Sequence, residues 1–210
     1  WGWFDALPDA GLGLGISLLC LVGLNVGLAQ RHDDDAIAAQ ATLILLLVGS
    51  AAGGLYGEFG VAVMIAIGTL VLHGMALLRG TGNLASLGIA SSYLWVGIHA
   101  LSDDWVVLGL HLVPLEDDLL TFLLMAAITG MNAVMATRFA HHENWFSAGL
   151  HAVGVGRPGL WAVSVGLGMV GATLSVAANR ADVGYALAQV ALLLVAFSGS
   201  YLTVRKVCLL

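Results

Sequence analysis

The sequence predicts an all-α, polytopic transmembrane helical bundle, and three observations lead to this prediction. Hydrophobic residues make up 60% of the 210 residues and charged residues only 10%, whereas soluble proteins carry about a quarter of charged residues. The mean hydropathy is +0.96. The apolar runs are about 20 residues long, which is the length an α-helix needs to cross a bilayer core of about 30 Å. Water-soluble enzyme folds are therefore excluded.

Charged residues, glycine and proline divide the chain into seven apolar runs. The first run ends at Arg31, the third at Arg79 and the fifth at Arg138, while the sixth follows Pro158 and the seventh follows Asp182. We expect one integral membrane domain over residues 1–210. Its predicted spans are 11–30, 37–55, 59–78, 84–102, 119–137, 159–178 and 184–204.

The basic residues predict the orientation of the bundle. If successive spans alternate in direction, six of the seven basic residues lie on one membrane face, and Arg180 alone lies on the other. Cytoplasmic loops carry the excess of Lys and Arg, so we expect the N-terminus outside and the C-terminus inside. Nucleic-acid binding is excluded, because 7 basic residues against 13 acidic ones cannot build a phosphate-binding surface.

Small residues at helical spacing predict close helix packing, as at Ser164, Gly168 and Ala172 in the sixth span. Such faces let helix backbones approach closely in lipid. We favour packing within the chain, with a homo-oligomer or a partner membrane subunit as the alternative. Membrane lipids are the expected surroundings.

Ionisable side chains are rare within the predicted spans, which contain His73 and His99. Retinal is excluded as a cofactor because its Schiff base needs a lysine in the last span, and the only lysine, Lys206, lies beyond it. We do not expect His73 and His99 to share one haem, since their antiparallel spans place them about half a bilayer apart. Helix packing is the simplest role for each. Other candidate intramembrane polar residues are Asn132 and Gln189.

The predicted outer boundary carries the densest group of potentially reactive side chains: His99, Asp103, Asp104, His111 and Glu116. Imidazoles and carboxylates can act as acids, bases or metal ligands, and the candidate ligands are His99, His111 and Glu116. The acidic run 116–118 equally predicts a first helical turn that complements the helix dipole. The stretch 114–117 also resembles the Pro-x-Glu-Glu/Asp motif of small membrane carotenoid cyclases over these four residues.

The predicted inner loop at 138–158 offers a second set of potential metal ligands, His141, His142 and Glu143. Adjacent residues on a helix point in different directions, so a solvated interfacial loop is the preferred interpretation. The run 31–35 is expected to be a solvated turn.

Three functions from different classes fit this sequence. The first is a translocation pathway for a small solute or an ion, which we rank slightly ahead. The second is a membrane-embedded enzyme that acts on a lipid or isoprenoid at the outer boundary. The third is a noncatalytic subunit of a larger complex. The low lysine content and the acidic outer face favour a prokaryotic cell membrane.

Overall fold

A computed structural model of the chain describes residues 57–102, 105–107, 110–178 and 183–207, together with separate positions between 17 and 46. From residue 57 onward the helices in the described residues are α1 (Gly57–Arg79), α2 (Gly82–Leu101), α3 (Asp118–Arg138), α4 (Trp145–Ala152), α5 (Leu160–Ala178) and α6 (Val183–Val207). Two short strands, β1 (Val106–Val107) and β2 (Leu110–His111), form an antiparallel hairpin.

Four of these helices are long and apolar enough to cross a membrane, namely α1, α2, α3 and the part of α6 over Val183–Thr203. In α5 the apolar stretch Leu160–Leu174 is shorter. Helices therefore occupy five of the seven predicted spans. The other two, 11–30 and 37–55, fall largely outside the described residues, so the count of seven and the orientation stay predictions.

A two-residue turn makes α1 and α2 antiparallel neighbours. Gly80 has a φ of +67°, a left-handed conformation that glycine adopts without steric cost. The amide of Thr81 donates to the carbonyl of Ala76 over 3.2 Å and closes the turn. Because the connection is so short, residues near the end of α1 and the start of α2 share one membrane face.

The predicted small-residue packing in the sixth span is confirmed at the contact between α5 and α2. A Cβ atom added to Gly168 would lie 3.1 Å from the hydroxyl oxygen of Tyr93, and one added to Gly171 would lie 3.2 Å from the Cβ of Tyr93. Ser164 and Ala172 are also buried. These small residues let α5 approach the large Tyr93 ring within the chain.

Two expectations about the loops need correction. The run 31–35 is not wholly a solvated turn, because Asp35 is helical and its carboxylate lies 2.9 Å from Nε of Arg79. The loop predicted at 138–158 is also more ordered than expected, since 145–152 forms α4. Asn144 caps the start of this helix, because its side-chain oxygen accepts a hydrogen bond from the amide of Ser147 over 2.8 Å. This bond satisfies one of the free amides in the first turn of the helix.

Candidate functional site

Three buried side chains form a hydrogen-bonded chain between α1, α3 and α2, which we call the central polar chain. Nε2 of His73 donates to Oδ1 of Asn132 over 2.7 Å. Nδ2 of Asn132 donates to Oγ of Ser92 over 3.0 Å, and this hydroxyl donates to the carbonyl of Ile89 over 3.0 Å. The chain therefore connects three helices through neutral polar groups.

The central polar chain fixes the tautomer of His73. Since Oδ1 of Asn132 is an acceptor, the ring proton is on Nε2 and a neutral imidazole presents Nδ1 as an acceptor. Nδ1 is buried and has no hydrogen-bond partner among the residues that the structure describes. A Cβ added to Gly88 would lie 2.7 Å from this nitrogen, so the absence of a side chain at Gly88 makes room for the ring.

Further polar groups lie along the same helices. The hydroxyl of Tyr93 donates to Oγ1 of Thr129 over 3.4 Å, and Oγ1 of Thr137 lies 2.6 Å from Oγ of Ser200 on α6. Hydroxyl contacts between helices, such as these, hold transmembrane helices together. Thr121, near the N-terminus of α3, is also buried, and its hydroxyl has no hydrogen-bond partner within the described part of the chain.

At the predicted outer boundary, His99 holds the segment that follows the hairpin. Its Nδ1 donates to the carbonyl of Val113 over 2.8 Å, and its own carbonyl accepts from the amide of Leu115 over 3.2 Å. The ring is fully buried and meets Trp95 edge-on at 6.1 Å. His99 therefore has a structural role, which is to hold the segment around Val113 against α2. Its Nε2 is buried and has no hydrogen-bond partner in the described ranges.

Two carboxylates at the predicted outer boundary, those of Glu58 and Asp117, cap α3. Oε2 of Glu58, at the start of α1, accepts hydrogen bonds from the amides of Glu116 and Asp117, each over 2.9 Å. The side chain of Asp117 accepts from the amide of Leu120 over 3.0 Å. Carboxylates at a helix N-terminus satisfy free amides and complement the dipole. These contacts favour the structural interpretation of the run 116–118.

The structure leaves the proposed catalytic and metal groupings untested. Asp103 and Asp104 are outside the described residues, as is the side chain of His111. His141, His142 and Glu143 are exposed, and the ring of His142 packs edge-on against Phe139 at 5.0 Å. Among the described positions no group of three or more His, Cys, Asp or Glu residues could hold a metal ion. A haem shared by His73 and His99 remains unexpected, and this too stays a prediction.

His73 and Asn132 are both candidates from the sequence, but their contact is visible only in the structure. Each lies six residues before an arginine that ends its helix, Arg79 in α1 and Arg138 in α3. Both helices run in the same direction, so equal spacing from the terminal arginine predicts equal depth. Gln189, the third candidate, is buried on α6. The capping role of Glu58 was missed, because a contact between the start of α1 and the start of α3 leaves no sequence pattern.

Comparison with known proteins gives no family assignment. No protein-family model matches the chain, and neither a curated protein nor a solved structure is significantly similar to it. The functional conclusion therefore depends on the geometry of the bundle.

Proposed function

We propose that this is a multi-pass protein of a prokaryotic cell membrane that provides a translocation pathway for small, uncharged polar solutes. The observation that carries the proposal is the series of buried polar groups in α1, α2 and α3, several of which have an atom with no hydrogen-bond partner among the described residues. Buried polar atoms are nearly always satisfied by protein or by water. A passing solute or water molecule would satisfy these atoms.

The free atoms occur at several depths. Thr121 lies three residues inside the outer end of α3, about 4.5 Å along the helix, and His99 lies about 3 Å from the outer end of α2. His73 lies about 9 Å from the opposite end of α1. Oγ1 of Thr81, in the turn at that end, is buried and has no hydrogen-bond partner within the described ranges.

The chemistry of these groups favours uncharged solutes over ions. The central polar chain consists of an imidazole, an amide and a hydroxyl, and the Tyr93–Thr129 pair adds two more hydroxyls. Moving an ion into a low-dielectric interior is costly unless opposite charges or several dipoles compensate. A small solute with hydroxyl or amide groups can exchange hydrogen bonds with these side chains without that cost.

A flux experiment on reconstituted vesicles tests the proposal. The permeabilities to glycerol and urea are measured by the change in light scattering after an osmotic step, with protein-free vesicles of the same lipid as reference. The protein should raise at least one permeability. Asn132→Leu removes the amide at the centre of the chain and should lower the added permeability about tenfold, equivalent to about 1.4 kcal/mol in the barrier.

Thr69→Val is the matched control, because the Thr69 hydroxyl is buried on α1 and, among the residues that the structure describes, bonds only to the carbonyl of Ile65 in its own helix. It should keep the flux of the unmodified protein. If the protein leaves both permeabilities unchanged, the pathway is wrong. If Asn132→Leu and Thr69→Val reduce flux equally, the central polar chain is not its constriction.

A further inference from the structure

An apolar groove of about 740 Å³ lies between α5 and α6, away from the central polar chain. Its lining includes Met169 from α5 and Leu193, Leu194 and Phe197 from α6. Met169 and Leu194 are 60% and 64% exposed, so the groove opens on the outside of the bundle. In a bilayer this surface meets lipid or another helix.

The shape and lining of the groove suit an extended hydrocarbon chain. On α5 the lining runs from Trp161 to Ala177, about 24 Å of helix, which exceeds the depth of about 15 Å of one leaflet. Aromatic, leucine and methionine side chains form much of its wall. Helices associate in membranes chiefly through small residues, and in α5 Gly168 and Gly171 already pack against Tyr93.

One end of the groove has the features of a headgroup site. The rings of Trp161 and Tyr201 are 5.3 Å apart there, and Nε1 of Trp161 donates to the carbonyl of Phe197 over 3.2 Å. Such amphipathic aromatic residues favour the headgroup level of a bilayer. The groove-lining face of α6 includes Tyr201 and Leu202. Arg205 lies four residues after Tyr201 and three after Leu202, so it is on the same face of the helix.

A second arginine lies at the same end. Arg157 precedes the start of α5 by three residues, and both Arg157 and Arg205 are exposed. Basic residues at the membrane surface attract anionic lipid headgroups. The end of the groove that carries the two aromatic rings thus lies at the end of the bundle where Arg157 precedes α5 and Arg205 follows Tyr201.

We propose that the groove between α5 and α6 binds an anionic membrane lipid, with an acyl chain along the groove and its headgroup beside Arg157 and Arg205. This site is separate from the translocation pathway, so it can exist whether or not the bundle conducts a solute. The negative headgroup distinguishes this lipid from a zwitterionic lipid with the same chains.

Trp161 reports on occupancy of the groove by fluorescence. The protein is reconstituted in phosphatidylcholine vesicles to which one brominated lipid is added, either phosphatidylglycerol or phosphatidylcholine with dibrominated acyl chains. Bromine quenches tryptophan fluorescence only at close range. Subtracting the signal of the Trp161→Phe variant isolates Trp161. Brominated phosphatidylglycerol should quench it at a lower mole fraction than brominated phosphatidylcholine.

Two pairs of variants separate headgroup from chain. Arg205→Gln should reduce the preference for phosphatidylglycerol about fivefold, as expected for about 1 kcal/mol per arginine near the surface, whereas Arg31→Gln should not. Ser198→Phe fills the groove and should lower quenching by both lipids. Val195→Phe is its control, because Val195 is 74% exposed on the same helix and does not line the groove.

Three results would overturn the proposal. Equal quenching by the two lipids, unaffected by Arg205→Gln, would eliminate the anionic headgroup. Absence of quenching by both lipids would mean that protein covers the groove. Crosslinking between copies through a cysteine at Ser198, at the lipid ratio that gives full quenching, would make the groove an interface between two chains.

Discussion

His73 shows how a missing side chain can position a polar one. Its ring occupies the space that a β-carbon at Gly88 would need, and the hydrogen bond to Asn132 fixes its direction. Residues that pack a core closely tolerate little added volume. The position of Gly88 therefore determines where the imidazole lies.

Replacing Gly88 with alanine should disturb the central polar chain. The added methyl group would force the His73 ring to move and weaken its bond to Asn132, which should lower the free energy of unfolding by about 2 kcal/mol. Unfolding in mixed micelles with increasing SDS measures this change. Gly130→Ala is the control, because Gly130 lies in α3 with open space around the added Cβ. An equal loss in both variants would contradict the steric role of Gly88.

At the same scale, the sequence predicted polar candidates better than it predicted their partners. His73 and Asn132 stand out because polar side chains are costly in apolar spans. The contact between them depends on the rotation of two helices about their axes, and the almost uniformly apolar spans leave that rotation unspecified. Glu58 is hard to recognise for another reason, since a carboxylate beside a span is common at a membrane surface.

At the scale of the elements, an ion pair connects Asp35 to Arg79 at the end of α1. Asp35 is itself helical and lies at the predicted inner face. The arginine side chain is 7% exposed and the aspartate 17%. Nδ2 of Asn83, at the start of α2, also donates to Oδ2 of Asp35 over 3.3 Å. Charges buried to this extent need their partners, since an isolated one is poorly solvated.

Either Asp35→Asn or Arg79→Gln should lower the free energy of unfolding by about 3 kcal/mol, because each removes the charge that lies 2.9 Å from the partly buried opposite charge. The double variant should lose less than the sum of the two, with a difference of about 1–2 kcal/mol. A double-mutant cycle in the same SDS titration measures it. Purely additive losses would show that the two charges do not stabilise one another.

The sequence predicted the long helices well and the short elements poorly. Five predicted spans coincide with helices within a few residues, because a continuous apolar run in lipid must satisfy its backbone groups internally. Helix α4 has eight residues and includes a glycine and a histidine, so no long apolar run marks it. Its stability comes from tertiary contacts and from the Asn144 cap, which are invisible to a hydropathy pattern.

For the whole molecule, the six-to-one distribution of basic residues predicts which ends face the cytoplasm. Single cysteines at Ala36 and Asp182 test this in a variant whose native Cys20 and Cys208 are replaced. An impermeant thiol reagent applied to intact cells should label the cysteine at 182 and leave the one at 36 unmodified. Solubilised protein should be labelled at both positions, as the control for reactivity. The opposite labelling in cells would reverse the orientation.

The two-residue connection at Gly80 and Thr81 also bears on biosynthesis. With almost no chain to close between them, α1 and α2 can pair as soon as both have left the ribosome, and they can enter the lipid as one hairpin. His73 and Ser92 would then enter the membrane in the same hairpin. Asn132 follows 40 residues after Ser92. Until α3 is made the imidazole needs a temporary partner, whereas the Ser92 hydroxyl already donates to the carbonyl of Ile89 in its own helix. The amide of Asn132 then connects the two side chains.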